Sequence, residues 1–167
     1  MSTTDLSAYD PTKVPHGAGL RIGIAVSEWN SEITENLYRG AFETLCELGV
    51  AEADIRRWDV PGSFELIYAA SALQTSGQYD ALIVLGSVIR GETPHFEYIC
   101  SAVAQGIGSL NVRAGEQGLP PVIFGVLTDN HIDQSRARSG GRLGNKGVEC
   151  AVDAIRMGHL YRNWNHK

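Results

Sequence analysis

The stretch Ala81-Leu82-Ile83-Val84-Leu85 decides the fold class, because it is apolar throughout and shows no alternation with polar residues. A strand with this pattern must be covered on both faces, as the inner strand of a parallel sheet is. Gly86 and Ser87 follow it directly and interrupt the apolar run. We therefore expect residues 81–87 to form an inner strand of a parallel sheet.

Three further runs rich in apolar or β-branched residues occur along the chain, and a helical pattern follows each of them. They are residues 20–27, 53–60 and 121–128. After the first run, Ile33, Leu37 and Ala41 recur at steps of four, which places them on one helix face. Alternating strands and helices with right-handed crossovers predict an α/β fold, a three-layer αβα sandwich with a four-stranded parallel sheet.

The length of 167 residues and the hydrophobic content of 43% fit one domain, which we assign to residues 20–160. Residues 1–19 are polar and are expected to form a flexible arm, from which a strand is a candidate to join the sheet. This arm lacks the apolar core of a signal peptide, so a cytoplasmic protein is expected. Residues 161–167 are expected to form a polar tail that frays.

Charge and composition exclude several classes of function. The net charge of −5 gives no electrostatic basis for binding nucleic acid or a membrane surface. The three cysteines form no C-x-x-C pair, and the histidines are not spaced as metal ligands. Neither a phosphate-binding P-loop nor a G-x-G-x-x-G motif follows the first strand. We therefore expect neither a metal nor a cofactor.

Ligands of an open parallel sheet bind beyond the carboxyl ends of the strands, and the first two junctions carry unusual residues there. Trp29 can stack on a flat heterocycle, or it can fill the seam between helix and sheet. Ser63, Phe64 and Glu65 stand at a helix start, where they can contact a ligand or serve as ordinary capping residues.

The third junction, residues 86–96, is the most informative one. Gly86 and Gly91 allow close approach of the backbone, and Thr93 offers a hydroxyl. The amides ahead of a helix that opens at His95 can bind an anion such as phosphate. As a histidine, His95 is able to move protons beside that anion, although a lone loop histidine is often an ordinary surface residue.

Four cations stand close together among glycines near the end of the domain, in a chain that is acidic overall. They are Arg136, Arg138, Arg142 and Lys146. One arginine of such a cluster can bind a phosphate bidentately. A solvated basic face is the alternative.

Five motifs in order make the chain similar to the 6,7-dimethyl-8-ribityllumazine synthase family over about residues 20–160. They are Trp29-Asn30, Pro61-Gly62-Ser63-Phe64-Glu65, Gly-Ser-Val-Ile-Arg-Gly-Glu-Thr-Pro-His-Phe-Glu-Tyr at 86–98, Phe-Gly-Val-Leu-Thr at 124–128 and Gly-Asn-Lys-Gly at 144–147. The resemblance implies a flavodoxin-like fold. It also implies a transferase of riboflavin biosynthesis that joins 5-amino-6-(D-ribitylamino)uracil to 3,4-dihydroxy-2-butanone 4-phosphate.

The resemblance also assigns roles to individual residues. His95 corresponds to the catalytic proton shuttle. Glu92, Thr93 and Arg138 correspond to the groups that hold the ketose phosphate. The contacts to the pyrimidine and its ribityl chain correspond to Trp29, Ser63, Phe64, Glu65, Ser87, Val88, Ile89 and Phe124. Two residues depart from the family pattern: Glu92 replaces a small residue, so its carboxylate must face away from phosphate, and Pro94 replaces a hydroxyl residue.

The resemblance further implies a homo-oligomer built from pentamers, with each active site between neighbouring subunits and Phe124 and Arg138 supplied by the adjacent chain. A pentamer, a pair of rings and an icosahedral shell all remain open, and riboflavin synthase is a candidate partner. Two alternatives remain besides the enzyme: a flavin-binding module, and a storage shell without turnover.

Overall fold

The described part of the chain forms a parallel sheet of four strands. The computed structural model describes residues 5–165, with the side chain of residue 165 left aside. The strands are β1 (Ile22–Ser27), β2 (Ile55–Val60), β3 (Ala81–Ile89) and β4 (Val122–Asp129), and their order is β2-β1-β3-β4. The predicted sheet is confirmed, and β3 is an inner strand that pairs with β1 and β4.

Five α-helices within residues 5–165 cover this sheet. They are α1 (Ser31–Glu47), α2 (Leu66–Thr75), α3 (His95–Gln117), α4 (Ile132–Arg138) and α5 (Lys146–Asn165). Between residues 5 and 165, no helix is both long and apolar enough to cross a bilayer.

Helices lie on both faces of the sheet, which confirms the three-layer sandwich. Ile83 and Leu85 of β3 belong to the apolar cluster formed with α1 and α5, whereas Leu82 and Val84 belong to the cluster formed with α2 and α3. All four side chains are at most 1% exposed, so β3 is buried on both faces, as its unbroken apolar sequence predicts.

The glycines of α3 do not end that helix. A Cβ atom at Gly106 would lie 2.8 Å from the side chain of Ile67, so the glycine allows α2 and α3 to approach closely. The helix continues to Gln117 and ends at Gly118, which has a φ of 65°.

The glycine-rich link after α4 is a small antiparallel hairpin. Its strands are β5 (Ser139–Gly141) and β6 (Gly144–Asn145). These strands hold too few side chains to show an alternating pattern, which explains why the sequence predicted only a link.

The two ends of the chain differ from the predicted arm and tail. Residues 5–19 contain a short 3-10 helix at Pro11–Lys13, but they contribute no strand to the sheet. Val14 is buried against the body of the domain. At the other end, α5 continues through the predicted tail to Asn165, and residues 1–4 and 166–167 lie outside the described part.

Asp80 joins the starts of two strands to the last helix. Its carboxylate, which is 5% exposed, accepts hydrogen bonds from Arg162 at 3.0 and 2.7 Å and from the Arg21 backbone N–H at 2.7 Å. Burial alone would raise the pKa of Asp80, but these hydrogen bonds and the two guanidinium charges outweigh it, so the pKa is lowered. The ionised pair therefore stabilises the folded state at neutral pH.

We predict that Arg162→Ala lowers the free energy of unfolding at pH 7 by about 2 kcal/mol, because it leaves a buried carboxylate with fewer partners. A lowered pKa contributes stability above the unfolded value and loses it as pH falls through the folded value. The difference from wild type should therefore shrink below about pH 3.8. Urea unfolding at several pH values measures it. Arg39→Ala, which removes an exposed arginine of α1, is the control. A difference independent of pH would contradict the prediction.

Candidate functional site

An open cleft lies beyond the carboxyl ends of β1, β2 and β3, where a parallel sheet binds ligands. Its volume is about 480 Å³. The lining residues are Trp29, Asn30, Gly62, Ser63, Phe64, Glu65, Ser87, Val88, Ile89, His95 and Ile99. The structure thus brings together His95 and seven of the eight predicted pyrimidine and ribityl contacts.

Trp29 is presented to solvent at the start of the cleft. Its side chain is 72% exposed, so it does not fill a seam between helix and sheet. Its backbone N–H donates to the Pro61 carbonyl at 3.3 Å, which ties the first junction to the second. An exposed indole beside a cleft offers a flat face on which a heterocycle can stack.

Asn30 fixes the turn that carries Trp29. It has a φ of 58°, in the left-handed region that side chains other than glycine rarely occupy. Its amide Nδ2 donates to the Ser87 carbonyl at 2.8 Å and thereby links β1 to β3 across the cleft. The hydrogen bond between junctions favours this turn in spite of its backbone strain.

Neither Ser63 nor Glu65 caps α2 through its side chain. The cap position of α2 is Glu65, and no side-chain hydrogen bond caps the helix. Ser63 is 6% exposed and lies against Gly86, where a Cβ atom would be 2.6 Å from its Oγ. Gly86 thus permits the close approach that brings the second junction onto β3, whereas Gly91 stands in open space.

Ser87, Val88 and Ile89 form the β3 wall of the cleft, and their side chains have different environments. The Ser87 Oγ is buried and lies 3.4 Å from the Ser135 Oγ, which in turn donates to Asp129 at 2.6 Å. The Ser87 hydroxyl therefore contacts Ser135 of α4. Val88 and Ile89 are half-buried and give the wall its apolar character.

The loop before α3 is held by Arg90. Its guanidinium donates to Asn130 at 2.7 Å, pairs with Glu97 and lies 4.3 Å from the centroid of the Phe96 ring. The hydrogen bond from Arg90 lowers the pKa of the Glu97 carboxyl. His95 is exposed at the first position of α3, where backbone N–H groups have no partner within the helix.

Glu92 and Thr93 lie on the exposed outer side of this loop and do not line the cleft. Pro94 occupies the cap position of α3 with a φ of −63°, so the helix begins immediately after it at His95. The proline therefore fits the turn without a capping hydroxyl.

Phe124 lies outside the cleft of its own chain. It is half-buried in the middle of the edge strand β4 and lines an apolar groove of about 780 Å³ between α3 and α5. Leu160 and Trp164 of the same groove are 49% and 70% exposed. An apolar surface of this kind beside an open sheet edge is typical of an interface.

Arg138 also lies outside the cleft, at the end of α4. It forms an ion pair of 2.7 Å with Glu149, whose other oxygen accepts from Lys146 at 2.9 Å. Arg136 is paired differently, with Glu32 and Asp133. The predicted basic cluster is therefore divided among separate carboxylates, and only Arg138 and Lys146 share one.

Comparison with known proteins identifies the family. The family model of 6,7-dimethyl-8-ribityllumazine synthase matches residues 19–162. The chain belongs to this family. Proteins named 6,7-dimethyl-8-ribityllumazine synthase from Christiangramia forsetii and Porphyromonas gingivalis are each 52% identical to it. The alignments cover 95% of this chain and 93% and 96% of those proteins.

Membership of the lumazine synthase family agrees with the resemblance found in the motifs. Several residues that line or support the site have no individual role assigned from the sequence, among them Asn30, Gly62, Ile99 and Glu149. Asn30 carries a detectable signal, since an asparagine between a strand and a helix favours a left-handed turn. Glu149 pairs with an arginine on a different element, and the sequence contains no signal for such a contact.

We predict that Asn30→Ala lowers the free energy of unfolding by about 2 kcal/mol, from backbone strain and the lost hydrogen bond to Ser87. Asn30→Gly relieves the strain but also loses the bond, so it should cost about 1 kcal/mol. Chemical denaturation of both variants separates the cost of the backbone strain from the cost of the lost hydrogen bond. Equal stability of the two variants would show that the left-handed turn stores no strain.

Proposed function

We propose that this protein condenses 5-amino-6-(D-ribitylamino)uracil with 3,4-dihydroxy-2-butanone 4-phosphate to give 6,7-dimethyl-8-ribityllumazine. Inorganic phosphate and water are released, and the reaction is the penultimate step of riboflavin biosynthesis. The observation that carries the proposal is the cleft, which combines an exposed indole, a histidine and apolar walls. Family membership over residues 19–162 supports the same reaction.

The cleft suits the pyrimidine and its ribityl chain. Trp29 stacks on the heterocycle, and the apolar side chains of Val88 and Ile89 exclude water from it. Backbone groups around Ser63 and the Glu65 carboxylate offer hydrogen bonds to ring carbonyls, amines and hydroxyls. Phe64 and Ser87 complete the lining.

The chemistry requires proton transfers that His95 can perform. The 5-amino group of the pyrimidine attacks the ketone of the ketose phosphate, and an imine forms with loss of water. Phosphate then leaves by elimination, and the second amine closes the ring with loss of another water. His95, exposed at the cleft, exchanges a proton with the reacting groups in these steps. Orientation of the two substrates supplies much of the remaining rate enhancement.

The phosphate of the second substrate is assigned to the loop of Glu92 and Thr93, the open end of α3 and the Arg138 guanidinium. Backbone N–H groups at a helix start favour an anion. Arg138 offers a planar, charged donor pair for phosphate oxygens. The Glu92 carboxylate has to point away from the anion, in agreement with its exposed position.

We further propose that Phe124 and Arg138 complete the cleft of a neighbouring subunit in a homo-oligomer built from pentamers. Both residues lie outside the cleft of their own chain. The apolar groove around Phe124, with exposed Leu160 and Trp164, supports an interface at that surface. A cytoplasmic location and an association with riboflavin synthase stay predictions.

A flavin-binding or storage shell without turnover is the second candidate. It shares the layered fold and the need for a flat aromatic contact. It has no need for a proton-transfer group beside an anion site, so His95 at the start of α3 favours the enzyme.

We predict lumazine formation with matching phosphate release from the two substrates. His95→Ala should lower kcat by about 100-fold, at the low end of the usual effect of a positioned acid–base group. Arg138→Ala should raise the KM for the ketose phosphate by about 30-fold, since a charged hydrogen bond is lost. Absorbance of the lumazine and a phosphate assay measure both.

The matched control is Arg142→Ala, which removes an exposed cation from the turn of the β5–β6 hairpin, directly after α4. Its KM should equal that of the wild type. A folded, oligomeric wild type that forms no lumazine would contradict the enzyme proposal and favour the flavin-binding shell.

We predict that two impaired variants complement each other if sites are shared between subunits. Trp29→Ala/His95→Ala chains carry an intact Arg138, and Arg138→Ala chains carry an intact cleft. Random co-assembly from equal amounts should restore about a quarter of the wild-type sites. Activity is measured after the variants are unfolded and refolded together. Activity equal to the mean of the separately refolded variants would show that each chain completes its own site.

A further inference from the structure

Three residues near the start of the chain, Asp5, Leu6 and Ser7, are bonded to the β5–β6 hairpin; we refer to them as the strap. The Leu6 N–H donates to the Leu143 carbonyl at 3.0 Å. The Asn145 N–H donates to the Ser7 Oγ at 3.0 Å. Ser7 is 9% exposed, so the strap is part of the packed structure at this point.

The strap is held in one conformation by its own hydrogen bonds. Both the N–H and the hydroxyl of Ser7 donate to the Asp5 Oδ1, at 2.8 and 2.7 Å. The Ser7 hydroxyl therefore donates to Asp5 while it accepts from Asn145. The hydrogen bonds from Ser7 lower the pKa of the Asp5 carboxyl, and the charge of Arg138 adds to the effect. Asp5 is ionised at neutral pH.

The strap fits against Gly144, which has no side chain to displace it. A Cβ atom there would lie 2.0 Å from the Asp5 Oδ1 and 2.3 Å from the Ser7 Oγ. Gly144 also has a φ of 84°, which favours glycine. The hairpin is thus shaped to receive the strap.

The same hairpin supports Arg138. The Arg138 Nη1 donates to the Leu143 carbonyl at 3.3 Å, and the Leu6 N–H donates to that same oxygen. The Leu143 N–H donates to Ala137 at 2.9 Å, which closes the hairpin onto the end of α4. The strap and the guanidinium therefore share one acceptor.

We propose that Asp5 and Ser7 are positioning residues that fix the Arg138 guanidinium for the phosphate of the ketose substrate. The inference rests on the proposed function and extends it to a segment outside the cleft. The strap holds Leu143 through the Leu6 N–H and Asn145 through the Ser7 hydroxyl. Leu143 orients one arm of the guanidinium, and Glu149 orients the other. Preorganised donors of this kind bind an anion without a further loss of side-chain freedom.

The test is the variant Ser7→Ala, assayed for lumazine formation. We expect the KM for the ketose phosphate to rise about fivefold, the usual effect of one lost hydrogen bond. The kcat and the KM for the pyrimidine substrate should stay within about twofold, because the strap acts on the phosphate ligand alone. A loss of kcat with an unchanged KM for the ketose phosphate would overturn the proposal.

Thr12→Ala is the matched control within the same segment. Thr12 donates to the Asp10 Oδ1 through its N–H and hydroxyl at 3.0 and 2.6 Å, the pattern of Ser7 and Asp5, but it lies in the 3-10 helix and not on the hairpin. It should leave every kinetic constant unchanged. An equal rise in KM for Thr12→Ala would show a general effect of the segment and would overturn the proposal.

Combination with Arg138→Ala shows whether Ser7 acts through Arg138. In that background Ser7→Ala should cause no further rise in KM, since the group that it positions is gone. The same fivefold rise in both backgrounds would overturn the proposal.

Hydrogen exchange separates this inference from the proposed function. Exchange of the amides of residues 143–145 should be faster in Ser7→Ala and unchanged in Thr12→Ala. Unchanged exchange of these amides in Ser7→Ala would overturn the proposed role of the strap, whether or not the wild type forms lumazine. A wild type that makes no lumazine and shows no phosphate release contradicts the proposed function, and with it the kinetic role of the strap.

Discussion

The burial of β3 on both faces is the constraint on which the rest of this structure depends. An apolar strand of this kind needs a helical layer on each side of the sheet, and α1 with α5 and α2 with α3 provide them. Once both faces are covered, a small ligand can reach only the ends of the strands. The position of the cleft is therefore a consequence of the packing of the core.

The shape of the cleft depends mainly on contacts among the segments at the carboxyl ends of the strands. Asn30 bonds to Ser87, Trp29 bonds to Pro61, and Gly86 admits Ser63. Each contact joins two segments that are distant in the sequence. The exposed indole can therefore keep a defined position although most of its own surface is in solvent.

The sequence predicted the sheet, the main helices and most of the cleft, because periodicity and strand-end residues depend on local patterns. It did not predict the hairpin, the continuation of α5 through the polar tail, or the pairing of Arg138 with Glu149. Arg162 contributes to the polar character of the predicted tail. Its charge is nevertheless paired with Asp80, which lies directly before the start of β3. Such pairings depend on tertiary contacts that spacing along the chain does not reveal.

The contribution of α5 to the core has a consequence for folding during synthesis on the ribosome. Ala151, Ala154 and Ile155 complete the apolar cluster on one face of the sheet, and Arg162 reaches back to Asp80. All four strands are translated before this helix. Until α5 leaves the exit tunnel, α1 alone can cover this face of the sheet. During that interval the nascent chain exposes apolar surface that chaperones can bind and that favours misassembly.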